Sequence, residues 1–141
     1  MPYDLEDFPD AEVLVKLILS EHHEEDLTDA NFGVDFYDAS DAFPYCRIER
    51  IGGSSERWND YPLVDVEWFA RPTGELGARP EAKRLSGRSA SILLGYPRSV
   101  TVNSQQVVLD RAYQTRSPIA LPWEDQYVRR FGATYQLSVR R

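Results

Sequence analysis

At 141 residues, 42% hydrophobic and 28% charged, the chain is long enough to bury a core as one domain, residues 1–141, without disulfides or metals. A net charge of −7 argues against a general nucleic-acid binder, and the single cysteine, Cys46, excludes an internal disulfide framework. No apolar run of about eighteen residues predicts a membrane helix. The acidic opening, Met-Pro-Tyr-Asp-Leu-Glu-Asp, lacks the basic start and apolar stretch of a signal peptide, so synthesis in the cytoplasm is expected.

Asp10 to about Ser20 reads as a helix, started by Pro9 or Asp10, with Ala11, Leu14, Leu17 and Ile18 as its apolar stripe and Val13 beside it. The acidic, histidine-containing stretch Glu21 to Asn31 reads as a solvated link. Phe32 to Tyr37 predicts a short strand weakened by Gly33, and Asp38 to Pro44 a turn. Tyr45 to Ile51 and Leu63 to Ala70 are strands by alternation. Val64, Val66, Trp68 and Ala70 share one face of the second strand, expected to meet the helices. Leu63, Asp65, Glu67 and Phe69 share the other, expected to meet water or a partner. Cys46 falls in the first of these strands and reads as a small buried hydrophobe.

After a loop, Arg71 to Gly77, a second helix is predicted from Ala78 to Leu94. Ala82, Leu85, Ser89, Ile92 and Leu93 are at helical spacing, and Gly95 is its stop. Gly87 costs that helix about 1 kcal/mol against alanine, which a close packing contact would explain. The remainder is β-rich. Arg98 to Val102 and Gln106 to Arg111 are strands around a turn at Asn103-Ser104-Gln105, and Ala112 to Ser117 is another candidate. Pro118 to Asp125 reads as a loop, and Tyr127 to Val139 as a last strand bent at Gly132. The fold class is therefore α+β: a mixed or antiparallel sheet with two helices packed on one face.

Charge is split along the chain. Residues 1–70 carry 18 acidic and 4 basic side chains, net −14; residues 71–141 carry 5 and 12, net +7. The halves can attract within one fold. Alternatively they form opposite surface patches, which favour head-to-tail association that closes into a ring.

Candidate chemistry is sparse. Gly52-Gly53-Ser54-Ser55 has neither the lysine nor the helix that a phosphate-cradling P-loop needs, and it leads into a strand. It reads as a hairpin loop, and its tip, Arg57, Trp58, Asn59, Asp60 and Tyr61, is a candidate protein interface. Adjacent His22 and His23 point to different sides of either regular element, so they do not form a metal pair. No metal or cofactor is expected. Asp65 and Glu67 share a strand face that Glu49 joins across the hairpin. This is a candidate lumen or subunit-contact surface, or the acid pair of a small hydrolase. Replacing Asp65 and Glu67 together is expected to cost within about 1 kcal/mol if both are exposed. Arg129 and Arg130 are candidate basic contacts.

The order of "PDAEVLVKLIL", "YCRIERIGG", "SSERWNDYP", "LVDVEWFA", "EAKRLSGRSASILL" and a β-rich C-terminal part covers most of the chain. This layout resembles the tail terminator proteins of siphovirus-type phages of actinobacteria. The resemblance implies a structural virion protein with no catalytic site, made in the host cytoplasm and placed in the neck of the tail. It implies a ring of identical subunits, expected to be a hexamer, that caps the tail tube and ends its polymerisation. Its partners would be itself, the tail tube protein and the head–tail connector, with genome DNA passing through the lumen without specific binding. An acidic lumen lining would suit that passage, by repulsion. Other readings remain open at this stage: another neck protein for head completion or head–tail joining, the small acidic hydrolase, and an acidic DNA mimic that inhibits a nuclease.

Overall fold

The computed structural model describes residues 8–23, 27–36, 42–72, 77–95, 98–125 and 127–140. Helix α1 spans Ala11–His22. The Asp10 carboxylate starts it, accepting from the N–H groups of Glu12 at 2.8 Å and Val13 at 3.4 Å. Two of the first turn's orphan donors are thereby satisfied. The buried stripe is wider than the sequence suggested. Val15 and Leu19 join Ala11, Leu14 and Ile18, while Leu17 is only partly buried.

A single 3-10 turn, Asp29–Asn31, leads to strand β1, Phe32–Gly33. The expected strand to Tyr37 therefore stops early, and Tyr37 with the first part of the predicted 38–44 turn lies outside the described residues. The Tyr45 hydroxyl donates to the Asp35 carbonyl at 2.8 Å and fills the space that a Cβ on Gly33 would need. The chain leaves the sheet there.

Strand β2 spans Tyr45–Ser55 and β3 spans Asn59–Ala70. The expected glycine loop is in fact strand. Register changes from Arg50 opposite Val64 to Gly52 opposite Leu63, which leaves Ile51 as the extra residue of a β-bulge. Gly53 has φ +109°, and a Cβ there would collide with the Tyr61 carbonyl oxygen. Only glycine fits that position without strain. The turn itself is Glu56–Trp58, closed by Glu56 N–H donating to the Asn59 carbonyl at 2.7 Å.

Helix α2 spans Ala78–Leu93, and Ala82, Leu85, Ser89, Ile92 and Leu93 are all buried, as the spacing predicted. Gly87 does not make the expected packing contact: it is exposed, and a Cβ there would meet nothing within 4 Å. Strands β4, Arg98–Val102, and β5, Gln105–Leu121, meet at a two-residue turn. Asn103 (φ 49°) and Ser104 (φ 67°) both adopt positive φ, the geometry of a type I′ hairpin. β5 absorbs the candidate strand at 112–117 and the first part of the predicted 118–125 loop. Strand β6 spans Arg129–Arg140. Its register with β3 is constant from Asn59 opposite Arg140 to Ala70 opposite Arg129, so Gly132 introduces no break in that pairing.

The six strands form one sheet in the order β1-β2-β3-β6-β5-β4, with β1 parallel to β2 and every other pair antiparallel. Both helices pack on one face, over Cys46, Ile48, Val64, Val66, Trp68, Tyr135 and Leu137. The α+β class, with a mixed sheet, is as expected. One polar residue enters this core against expectation. His23, read as part of a solvated link, is buried, with a ring nitrogen 2.8 Å from Ser89 Oγ; Ser89 Oγ also accepts from Trp68 Nε1 at 2.7 Å. Burial costs little when each polar group has such a partner. Its neighbour His22 is exposed, with Nε2 2.8 Å from Arg98 Nη1.

Candidate functional site

The sheet face away from the helices carries the acidic residues that the sequence singled out. Register places Arg47 opposite Glu67, Glu49 opposite Asp65, and then Asp65 opposite Thr134 and Glu67 opposite Gly132. Asp65, Glu67 and Glu49 thus lie together on one surface. They do not form an acidic lining. Arg130 places Nε 2.8 Å and Nη2 2.7 Å from one oxygen of Glu67, and Arg47 approaches the other at 3.7 Å. Arg47 also pairs with Glu49, and Arg116 lies 4.0 Å from Asp65. Three carboxylates face three guanidinium groups, so the surface is charge-balanced.

Depth separates the two central carboxylates. The Glu67 side chain is only 3% exposed, whereas Asp65 is 17% exposed. Two features bury Glu67. Opposite it, Gly132 has no side chain, and a Cβ there would lie 3.0 Å from Glu67 Cγ and 2.8 Å from Leu121 Cδ1. Above it, Phe36, Phe69 and Trp123 bracket the Arg130 guanidinium, with ring centres 5.6, 5.7 and 5.6 Å from its carbon. These rings also touch one another, with Phe69 4.9 Å and Phe36 5.1 Å from Trp123. Together with Tyr45, Val128 and Phe43, Phe69 and Trp123 make a second small apolar cluster on this face. Cation–π attraction and the ion pair therefore hold Arg130 from two sides. Arg130 is part of the fold's own bracing rather than a free basic contact, while its neighbour Arg129 is exposed.

This arrangement leaves the acid pair poorly suited to hydrolysis. Glu67 is shielded, and Asp65 accepts a 2.5 Å hydrogen bond from the Thr134 hydroxyl. A glycosidase needs both carboxyls open to a sugar-binding cleft. No group of three or more His, Cys, Asp or Glu side chains among the described residues is placed to hold a metal ion. Burial, with the charge of Glu67 as a smaller cause, pushes the Cys46 thiol well above its ordinary range, the opposite of an activated nucleophile. No protein-family model and no curated protein sequence matches this chain.

The second candidate region is the β2–β3 turn. Its five residues divide into two kinds. Arg57 and Trp58 are exposed, with the Arg57 guanidinium carbon 5.0 Å from the indole centre. Asp60 is buried, 1% exposed, and accepts from Arg50 Nη1 at 2.8 Å, Arg50 Nη2 at 3.0 Å and Ser55 Oγ at 2.6 Å. Asn59 and Tyr61 are half-buried, and the Tyr61 hydroxyl reaches Glu56 at 3.3 Å. Asp60 is therefore a brace at the base of the turn rather than a contact residue, and Arg57 with Trp58 is the presented surface.

Sequence reasoning missed Arg47, Arg116, Phe36 and Trp123. A signal existed for Arg47, which shares the alternating face of Glu49 and so faces the Asp65/Glu67 row. For the others there was none, because their positions depend on the register of β5 and β6 and on loop packing.

Proposed function

We propose that this protein is a structural component of a phage tail, a tail terminator that caps the tube as a ring. The observation that carries the reading is the commitment of the sheet's two central carboxylates to internal partners, Glu67 in an ion pair with Arg130 and Asp65 in a hydrogen bond from the Thr134 hydroxyl. Such a face braces a subunit and is poorly built for hydrolysis. The element order supports the same reading: a helix, a strand running through Gly-Gly, an exposed turn, a strand, a second helix and a β-rich C-terminal part come in the order on which the resemblance rests.

On this reading the partners are further copies of the chain, the tube protein and the head–tail connector, and DNA passes the charge-balanced surface without specific binding. The test is tube length. Purified tube protein polymerised with and without this chain, then imaged by electron microscopy, should give capped, non-growing ends only when the chain is present. Tubes that keep growing in its presence would refute the proposal.

A further inference from the structure

Two surface features contribute nothing evident to the fold: the exposed indole of Trp58, and an apolar cleft between α1 and the β1–β2 edge. We propose that they are the two halves of one contact, with Trp58 of one copy seated in the cleft of a second copy of this chain.

Trp58 is 58% exposed and Ile51, on the same hairpin, 47% exposed. The turn that carries them is braced by the Arg50–Asp60–Ser55 bonds, so the indole is presented from a held base at little cost in ordering. Tryptophan and arginine are the residues most enriched where interfaces concentrate their binding energy.

The cleft has a volume of about 170 Å³, and its apolar lining is Val13, Phe32, Val34 and Ile48. Small-molecule sites usually run to about 300 Å³ or more, whereas a cavity of about 150 Å³ holds one benzene ring. The cleft is therefore sized for one six-membered aromatic ring, such as the benzene edge of an indole. Val34 is 45% exposed there, an apolar group left against water. Asp10 and Glu12 also line the cleft, and Lys16, the cation beside them, is paired with Asp29 at 3.1 Å. The surplus is negative, which complements Arg57 stacked on the incoming indole.

Knob and cleft are different patches of one surface, so each copy offers one of each. Such a contact is heterologous: it propagates head to tail and closes only if the rotation allows. The proposal builds on the ring reading above and names the contact that would join its subunits.

The test uses the full chain, whose native Cys46 is buried, with one added cysteine in each of two forms, Glu56→Cys beside the retained Trp58 and Val34→Cys in the cleft, mixed under mild oxidation and weighed by mass spectrometry. Mixed Glu56→Cys/Val34→Cys dimers should exceed either same-variant dimer, and adding Trp58→Ala or Arg57→Glu to the Glu56→Cys form should reduce them. In ultracentrifugation Trp58→Ala should weaken self-association roughly thirtyfold, the loss typical of truncating a central interface tryptophan. Mixed dimers no more abundant than those of Glu56→Cys with Ser99→Cys, an exposed position on β4, would overturn the proposal. So would a cysteine at position 34 that is shielded because another part of the same chain fills the cleft. Loss of the cross-link with tube capping intact would sink this contact alone, whereas a cross-link without capping would sink the terminator reading alone.

Discussion

Removing the charge of Glu67 is the sharpest test of the sheet face. Glu67→Gln keeps the shape but leaves Arg130 and Arg47, only 19% and 14% exposed, without their shared carboxylate. Breaking a buried pair by removing one partner typically costs about 3–5 kcal/mol. Both guanidiniums keep other contacts, Arg47 with Glu49 and Arg130 with three aromatic rings, so the lower end, about 3 kcal/mol, is expected. Asp65→Asn, two residues along the same face, removes a more exposed charge whose main bond is to a hydroxyl, and should cost about 1 kcal/mol. The small cost expected of the double replacement presumes two exposed carboxylates, a condition that Glu67, 3% exposed, does not meet. Urea unfolding followed by circular dichroism measures this directly. With a slope of about 1–3 kcal/mol per molar urea, Glu67→Gln should lower the midpoint by about 1–3 M at unchanged slope. Arg130→Met should be similarly costly, and the double variant should cost less than the sum of the two, because removing both partners leaves neither Glu67 nor Arg130 as an unpaired charge; Arg47 keeps its pairing with Glu49. A Glu67→Gln midpoint indistinguishable from that of Asp65→Asn would refute the reasoning.

Gly53→Ala should destabilise by at least about 2 kcal/mol in the same assay, since positive φ and the Tyr61 carbonyl both oppose a side chain, while Gly52→Ala, with nothing within 4 Å, should be nearly neutral. Gly87→Ala should raise stability by about 1 kcal/mol and the melting temperature by a few degrees, because the site is helical and open. Burial pushes the Tyr135 hydroxyl up to about 12 from 10.0, so the folded state keeps a proton that the unfolded chain loses. Stability should therefore fall by about 3 kcal/mol in total as pH rises through both values, about 2 kcal/mol of it between pH 10 and 12, Tyr135→Phe should remove much of that slope, and the raised Cys46 thiol should add a fall that begins near pH 9. If the charge-split halves pair between copies, self-association should weaken as salt rises past about 0.1 M; salt-independent association in ultracentrifugation would count against that pairing.

What the sequence disclosed follows the range of the interactions involved. The helical spacing of Ala82, Leu85, Ser89, Ile92 and Leu93 and the alternation of Val64, Val66 and Trp68 are local patterns and are buried as read; the stripe of α1 is buried at Ala11, Leu14 and Ile18 but only partly at Leu17. Strand ends were less legible. Pro118 suggested a loop, yet β5 continues through it to Leu121, at the part of β5 that β4 does not pair and between register shifts that accommodate it. His23 looked solvated because its neighbours in sequence are acidic. Its hydrogen-bonding partner, Ser89, comes from a helix 66 positions away.

The open face shows why side and depth are separate questions. Alternation placed Asp65 and Glu67 correctly away from the helices, but it says nothing of how far each lies from water. That depends on what the next strand sets opposite. Asp65 meets Thr134, which offers a hydroxyl; Glu67 meets Gly132, which offers room. In sequence Gly132 is only a glycine in a strand, and a bend is the natural inference. Once the register sets it against Glu67, the missing Cβ becomes the space into which the carboxylate's stem packs, beneath Arg130 and its three rings. The residue that most affects the chemistry of this face is thus one without a side chain, and Gly132→Ala should disturb the Glu67–Arg130 pair although it changes no charge.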